Sequence, residues 1–237
     1  MTKTREMPAD VTDFLHSCGV PQPLPDIQPL IDFYEDLQRA NQTTNLTRIT
    51  DWSDFCIRHV ADSLSVLRRL PRLGQAETGL RVADVGCGGG FPMIPLLWVC
   101  PERTVVGVES RPRKAEFVAR EIASLGFPNA RCLAARSREL GRDDAWRGTF
   151  DVVLLRAVST AANNLRESRH LLGAGHIVCY KTPKAVENEW DEADREARKH
   201  GFDLTAPPPF DLPAQAGPRQ FIIFHRSRGN QDRAGSS

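Results

Sequence analysis

The apolar positions change period once along this chain. From Asp26 onward, Ile27, Leu30, Ile31, Tyr34 and Leu37 recur at helical spacing. Ile57, Val60, Ala61, Leu64 and Leu67 make a second stripe, with Ser53 as its expected N-cap. The polar stretch from Asn41 to Thr50 between them reads as a loop, and no internal repeat is visible. From Arg81 short apolar runs alternate with helical stripes. Strands are expected over 81–85, 104–109, 130–134, 151–155, 176–181, 202–205 and 220–225. Helices are expected over 91–100, 112–126, 161–172 and 186–200, with Pro112 suited to a first turn and Gly126, Gly173 and Gly201 as stops. Such alternation implies a parallel, doubly wound α/β sheet. A Pro- and Gly-rich connection with no helix joins the last two strands, which favours an antiparallel pair at the end of the sheet.

The chain has 237 residues, enough for one large domain or a domain with a small extension, and enough to bury a core without covalent staples. Its 41% hydrophobic and 26% charged residues are ordinary for a soluble globular enzyme, and a net charge of +1 does not announce a nucleic-acid partner. Locally, nine Lys/Arg stand against five Asp/Glu between Arg111 and Arg147, which is either a basic face for RNA or solvated helix surface. The six cysteines form no C-x-x-C pair and no cluster with zinc spacing. They read as reduced structural thiols of a cytoplasmic protein, and no metal is expected. The N-terminus lacks an apolar signal core, and the longest apolar stretch, Met93 to Cys100, is too short for a bilayer, so no membrane partner is expected.

The central chemical signal is Asp84-Val85-Gly86-Cys87-Gly88-Gly89-Gly90-Phe91-Pro92, which follows a strand and opens a helix. Glycines there allow positive φ and a close backbone approach, and the helix start offers free N–H groups. A dinucleotide fold requires G-x-G-x-x-G with pyrophosphate on the helix terminus. Counting from Gly86, the sixth position is Phe91, so the spacing is G-x-G-x-G, which resembles the nucleoside-methyltransferase form. The plainer alternative is a tight turn without a ligand. Glu109 ends the next strand about twenty residues on, where a carboxylate can accept both ribose hydroxyls or simply favour the following helix start. Arg156 ends the strand after Phe150 and should face the same crevice, since ligands of open α/β sheets bind beyond the carboxyl ends of strands; a surface ion pair is the alternative. Lys181 ends the next strand by the same logic.

His59, Asp62 and Ser63 are spaced to share one helix face, which is costly to bury unless bonded. No G-x-S-x-G elbow accompanies them, which argues against a hydrolase triad. A packed polar network and direct catalysis both remain open. Together these features predict a Rossmann-like class I methyltransferase sheet with an antiparallel last strand, plus an N-terminal helical extension. The expected division is a helical extension over 1–79, an S-adenosylmethionine-dependent methyltransferase domain over 80–226 and a disordered tail over 227–237.

From about Asn45 to Lys181 the chain resembles the RsmG/GidB family (glucose-inhibited division protein B), guanine-N7 methyltransferases of small-subunit ribosomal RNA. The resemblance lies in Asn45-Leu46-Thr47, Arg58-His59 with Asp62-Ser63, the Gly86 turn into Phe91-Pro92 and Ile94-Pro95-Leu96, Arg113-Lys114 with Phe117, and Arg156-Ala157. It implies S-adenosyl-L-methionine as cofactor, with contacts at Gly86, Phe91, Ser137, Arg138 and Arg156; the turn and strand-end pattern adds Asp84, Gly88, Gly90 and Glu109 to the expected cofactor site, and His59, Arg156 and Lys181 are the catalytic candidates. The chain departs from the family at three places: Met93 and Thr182 stand where glycine is usual, and the pair Ser137-Arg138 where Ala-Glu or similar is usual.

The implied partner is small-subunit ribosomal RNA or the assembling small subunit, met by a monomer. Guanine N7 carries a lone pair and no proton, so the transfer needs no general base. Holding N7 behind the methyl supplies the main effect, roughly 7–11 kcal/mol for good positioning. Positive charge develops on the base, so Arg156 is expected to orient the cofactor or a phosphate. N7 is hidden in the narrow major groove of A-form RNA, so the target must be a loop or open during assembly. Two other readings use the same fold: a methyltransferase of a small molecule or protein, and a non-catalytic RNA- or nucleotide-binding protein.

Overall fold

The computed structural model describes residues 5–75 and 79–226. The tail over 227–237, expected to be disordered, lies outside them.

Strands β1 (Arg81–Val85), β2 (Thr104–Glu109), β3 (Ala130–Ala134), β4 (Phe150–Arg156) and β5 (Leu172–Lys181) pair in parallel. Strands β6 (Asp203–Thr205), β7 (Phe210–Asp211) and β8 (Pro218–Arg226) complete the sheet. The order is β3-β2-β1-β4-β5-β8-β6, with β7 beside β8. β8 runs antiparallel to both β5 and β6, as expected for a final connection without an α-helix; that connection carries β7 and a 3-10 turn over Pro213–Gln215. The chain moves outward from β1 to β3 and then returns to β4. The strand order therefore reverses between β1 and β4, and a crevice opens beyond their carboxyl ends.

Successive strand residues point to opposite faces, which splits the core in two. On one face Val82, Val105, Val152, Leu154 and Val178 pack with the early helices α1 (Ala9–Ser17) and α2 (Gln28–Asn41). The same layer holds α5 (Met93–Val99) and α6 (Pro112–Ser124). Its α3 (Trp52–Phe55) and α4 (Asp62–Leu64) are joined by a π-helical turn over Cys56–Ala61. On the other face Val85, Val108, Val153, Leu155 and Ile177 pack with α8 (Ala161–Ser168) and α9 (Pro183–Lys199), beside the single turn α7 (Ser137–Leu140). The helices before residue 80 have no core of their own: Val11, Leu30, Phe33 and Leu64 belong to the sheet's first layer.

Several boundaries differ from the sequence expectation for local reasons. Asp51, not Ser53, caps the run at Trp52, its Oδ1 accepting the Asp54 N–H at 3.0 Å. α5 begins at Met93 because the glycine turn continues through Pro92. α8 ends at Ser168 because Leu172 already starts β5. Thr182 caps α9, its Oγ1 accepting from the Ala185 N–H at 3.3 Å, so this departure from glycine contributes a helix start. α1 lies within the expected helical extension, with Val11 and Leu15 buried one helical turn apart.

Candidate functional site

The turn after β1 is shaped by two glycines. Gly86 has φ +71°, and a Cβ there would lie 2.6 Å from Cγ2 of Val158. Gly88 has φ +57°, and a Cβ there would meet nothing nearer than the Gly86 carbonyl at 3.8 Å, so its face is open. It looks into a cleft of about 380 Å³ walled by Gly86, Gly88, Phe91, Glu109, Arg156 and Val158, with Arg111 and Lys114 beyond Glu109. Glu109 is buried at the end of β2. Its Oε2 accepts the Gly88 N–H at 3.0 Å and its Oε1 the Arg111 N–H at 2.9 Å. A carboxylate offers about four lone-pair sites, so both oxygens can still accept from a ligand. An open glycine face beside a fixed carboxylate fits the ribose end of a nucleoside cofactor.

Arg156 organises the opposite wall. Its Nη1 donates to Asp62 Oδ2 at 2.8 Å and to the Arg58 carbonyl at 3.0 Å. Its Nη2 donates to His59 Nδ1 at 3.0 Å, and its guanidinium lies 5.4 Å from the Phe91 ring centre. Arginine has no acceptor, so His59 Nδ1 must be the accepting nitrogen. The proton then sits on Nε2, which donates to Thr47 Oγ1 across 2.8 Å. The His59 ring also stacks on Phe91, centroids 4.0 Å apart. Burial, with the charge of Arg156 beside it, pushes the His59 pKa down to about 3, so the ring is neutral. His59, in the π turn, and Asp62, just after it, are three residues apart, and both meet Arg156 at the end of β4. Ser63 points elsewhere, and its Oγ has no hydrogen-bond partner among the described residues.

Asp62 is buried and shared. Its second oxygen accepts from Arg219 Nε on β8 at 3.0 Å, so one carboxylate holds two guanidinium groups. Asn41 fixes the loop that reaches Thr47: its Oδ1 accepts the N–H groups of Leu46 and Thr47 at 2.7 and 2.9 Å.

Five of the expected site residues are not in the cleft wall. Asp84 lies behind the turn, fully buried, and accepts the Met93 N–H at 2.9 Å. Burial raises its pKa to about 7, against the pull of that bond and of Arg156. Met93 therefore keeps a backbone role that any residue but proline can fill, while its sulfur occupies the space above Gly107. Gly90 faces Phe33 and Ile94 in the core. Ser137 and Arg138 begin α7 beyond β3, outside the wall, and the Arg138 side chain lies 3.7 Å from Glu167. Lys181 is occupied, donating to the Ser159 carbonyl at 2.7 Å and pairing with Glu189 at 2.9 Å. It positions the β4–α8 loop instead of facing the turn. Sequence reasoning did not select Thr47, Val158 or Arg219. Arg219 lies 157 residues from Asp62 along the chain, and no local signal joins them.

A doubly wound sheet with this turn and this junction defines a Rossmann-like methyltransferase fold. Solved structures bear out the fold alone. Cofactor-bound Rv0187 from MTB aligns with a TM-score of 0.61 at 20% identity, over 95% of this chain and 99% of that one. A putative O-methyltransferase from Klebsiella pneumoniae aligns with a TM-score of 0.57 at 15% identity, over 86% and 92%. The sequence is more particular: residues 26–213 match the GidB family, rRNA small subunit methyltransferase G, and the chain belongs to that family. Ribosomal RNA small subunit methyltransferase G of Trichormus variabilis is 32% identical over 81% of this chain and 79% of the relative. Its counterpart in Carboxydothermus hydrogenoformans is 28% identical over 93% and 92%.

Proposed function

We propose that this protein transfers a methyl group from S-adenosylmethionine to N7 of a guanine in small-subunit ribosomal RNA. The observation that carries this reading is the state of His59, within a chain of that family. The ring is neutral, with one nitrogen bonded to Arg156 and the other to Thr47, so His59 is not free to act as a base. Guanine N7 requires none. S-adenosylmethionine, when bound, supplies a methyl carbon made electrophilic by a sulfonium. The N7 lone pair forms the new N–C bond, the S–C pair stays on sulfur, and no proton moves.

The chain's residues have positioning roles in this reading. Gly86 and Gly88 let the cofactor approach the backbone, Glu109 accepts from its ribose, and Phe91 gives an apolar face. Ser137 and Arg138 are assigned to the adenine through their N–H groups, which have no partner within a first helical turn. Arg156 and His59 hold the junction where donor and acceptor meet. Among the described residues one large hydrophobic side chain is exposed, Val158, which supports action as a monomer. No described helix is long and apolar enough to cross a membrane, and the substrate puts the work in the cytoplasm.

The test is transfer of labelled methyl from S-adenosylmethionine to small subunits lacking the modification, with mapping of the base. Label on a single guanine N7 is the expected result. Cofactor binding without label would overturn the ribosomal target and favour another acceptor; no binding of either would favour a non-catalytic protein. Arg156→Ala is expected to weaken cofactor or RNA binding, measured by calorimetry.

A further inference from the structure

A second cleft, of about 480 Å³, adjoins the first and shares His59, Arg156 and Ala157 with it. We propose that it is the acceptor pocket, and that it takes one nucleotide of single-stranded RNA with an adjacent phosphate held at Arg58 and Arg219. This rests on the methyl-transfer reading.

The argument begins with displacement geometry. The nucleophile must approach the methyl from the side opposite sulfur, so donor and acceptor occupy separate spaces with one shared wall. Only a cavity touching the glycine cleft can serve, and this one touches it at Arg156. Its volume lies in the range of sites that enclose a small ligand. Ile49, Tyr180 and Ala185 line it with apolar surface, which suits the faces of a base.

Charge then distinguishes its parts. Four cations and two carboxylates line the cleft. Glu189 is taken by Lys181, and Asp62 by Arg156 and Arg219 together. Asp62 thus lowers the positive potential at the shared wall, where the methylated base becomes cationic. Two guanidinium groups share Asp62, so one positive charge is left over, on the side of Arg219. Further out, Arg58 is bridged to Asp54 at 3.2 Å, and its side chain is 44% exposed. Arg219 uses Nε for Asp62 and Nη1 for the Pro218 carbonyl, which leaves Nη2 for the cleft. An inner wall with paired charges, and guanidinium donors of Arg219 and the exposed Arg58 at the outer lip, match a nucleotide whose base enters and whose phosphate stays outside. A double helix does not fit this arrangement, because its bases remain stacked.

The test uses the full chain with S-adenosylhomocysteine present and a short single-stranded RNA, one guanine among uridines, followed by fluorescence anisotropy. Ala185→Phe fills the cleft and keeps the N–H that caps α9. It is expected to weaken RNA binding at least tenfold while cofactor affinity stays within twofold. Arg58→Gln, on an exposed side chain, is expected to reduce the salt dependence of RNA binding by about one counterion. RNA affinity unchanged in Ala185→Phe would overturn the pocket, as would loss of cofactor affinity instead, since the space would then belong to the donor. If both expectations hold but small subunits accept no methyl, the ribosomal target fails and the acceptor pocket stands.

Discussion

At the carboxyl ends of the parallel strands, clefts of about 380 and 480 Å³ meet at Arg156; at the opposite end of the sheet lies a larger cavity, of about 740 Å³, lined by Arg69, His176, His225 and Arg226. The larger cavity is furnished with side chains that close backbone groups. Asp151 accepts the Arg81 N–H at 2.8 Å, His225 Nδ1 bonds the Gly175 carbonyl at 3.1 Å, and Arg226 lies 4.2 Å from the Phe202 ring centre. In the smaller clefts the side chains bond to one another, from three separate parts of the chain, and the glycine backbone faces the opening. Converging chemistry, not volume, separates a site from a gap in the packing.

The comparison breaks most visibly at Asp62. Replacing it with alanine leaves Arg156 and Arg219 without their shared counter-charge in a buried place. The expected loss is about 3–5 kcal/mol of stability, read from urea unfolding. A loss below about 1 kcal/mol would mean the network is solvated and does not hold the junction.

Acid probes the same network next. His59 has a folded pKa of about 3, below its ordinary 6.5, so the unfolded chain binds its proton more readily. Its contribution to stability is present above pH 6.5 and is lost as pH falls toward 3. Asp84, raised to about 7 by burial, acts with the opposite sign: its contribution is present at low pH and lost as pH rises from 3.8 to 7. The two oppose each other between pH 4 and 6.5. Relative to His59→Asn, the wild type should therefore lose about 3 kcal/mol between pH 7 and pH 4, measured as the difference of two denaturation series. Parallel series would show that His59 titrates normally.

A smaller effect is expected at Gly88→Ala. The added Cβ has room in the folded protein, so the positive φ should cost about 1 kcal/mol of stability, while cofactor affinity falls about tenfold, seen by calorimetry. The smallest effect belongs to the opposite end. His225→Gln should leave methyl transfer unchanged and stability within about 1 kcal/mol, because it removes one backbone bond. A clear loss of transfer there would give the large cavity a role that its chemistry does not suggest.

Much of this was legible in the chain. Strands buried on both faces leave short continuous apolar runs, and the G-x-G-x-G turn after β1, with Glu109 at the end of β2, follows from strand order and glycine spacing. The polar face at His59 was legible as a network needing partners. The partners themselves were not, because Thr47, Arg156 and Arg219 come from three other segments of the chain. Lys181 shows the same limit from another side. Its position at the end of β5 promised a free cation in the crevice; it lines the second cleft, but Glu189 and the Ser159 carbonyl, brought near by α9 and the β4–α8 loop, occupy it.

The sequence by itself determined the order of strands and helices, the antiparallel last strand and the placing of a glycine turn opposite Arg156. These depend on local periodicity, on turn residues and on the handedness of strand–helix–strand units, all written within a few tens of residues. Only the tertiary structure decided which charges meet. Asp62 faces Arg156 and Arg219 from positions 94 and 157 residues away, and that pairing is fixed by how the early helices dock on the sheet. Burial energy, which has no direction along the chain, selects that docking; the buried charges then find the partners it supplies.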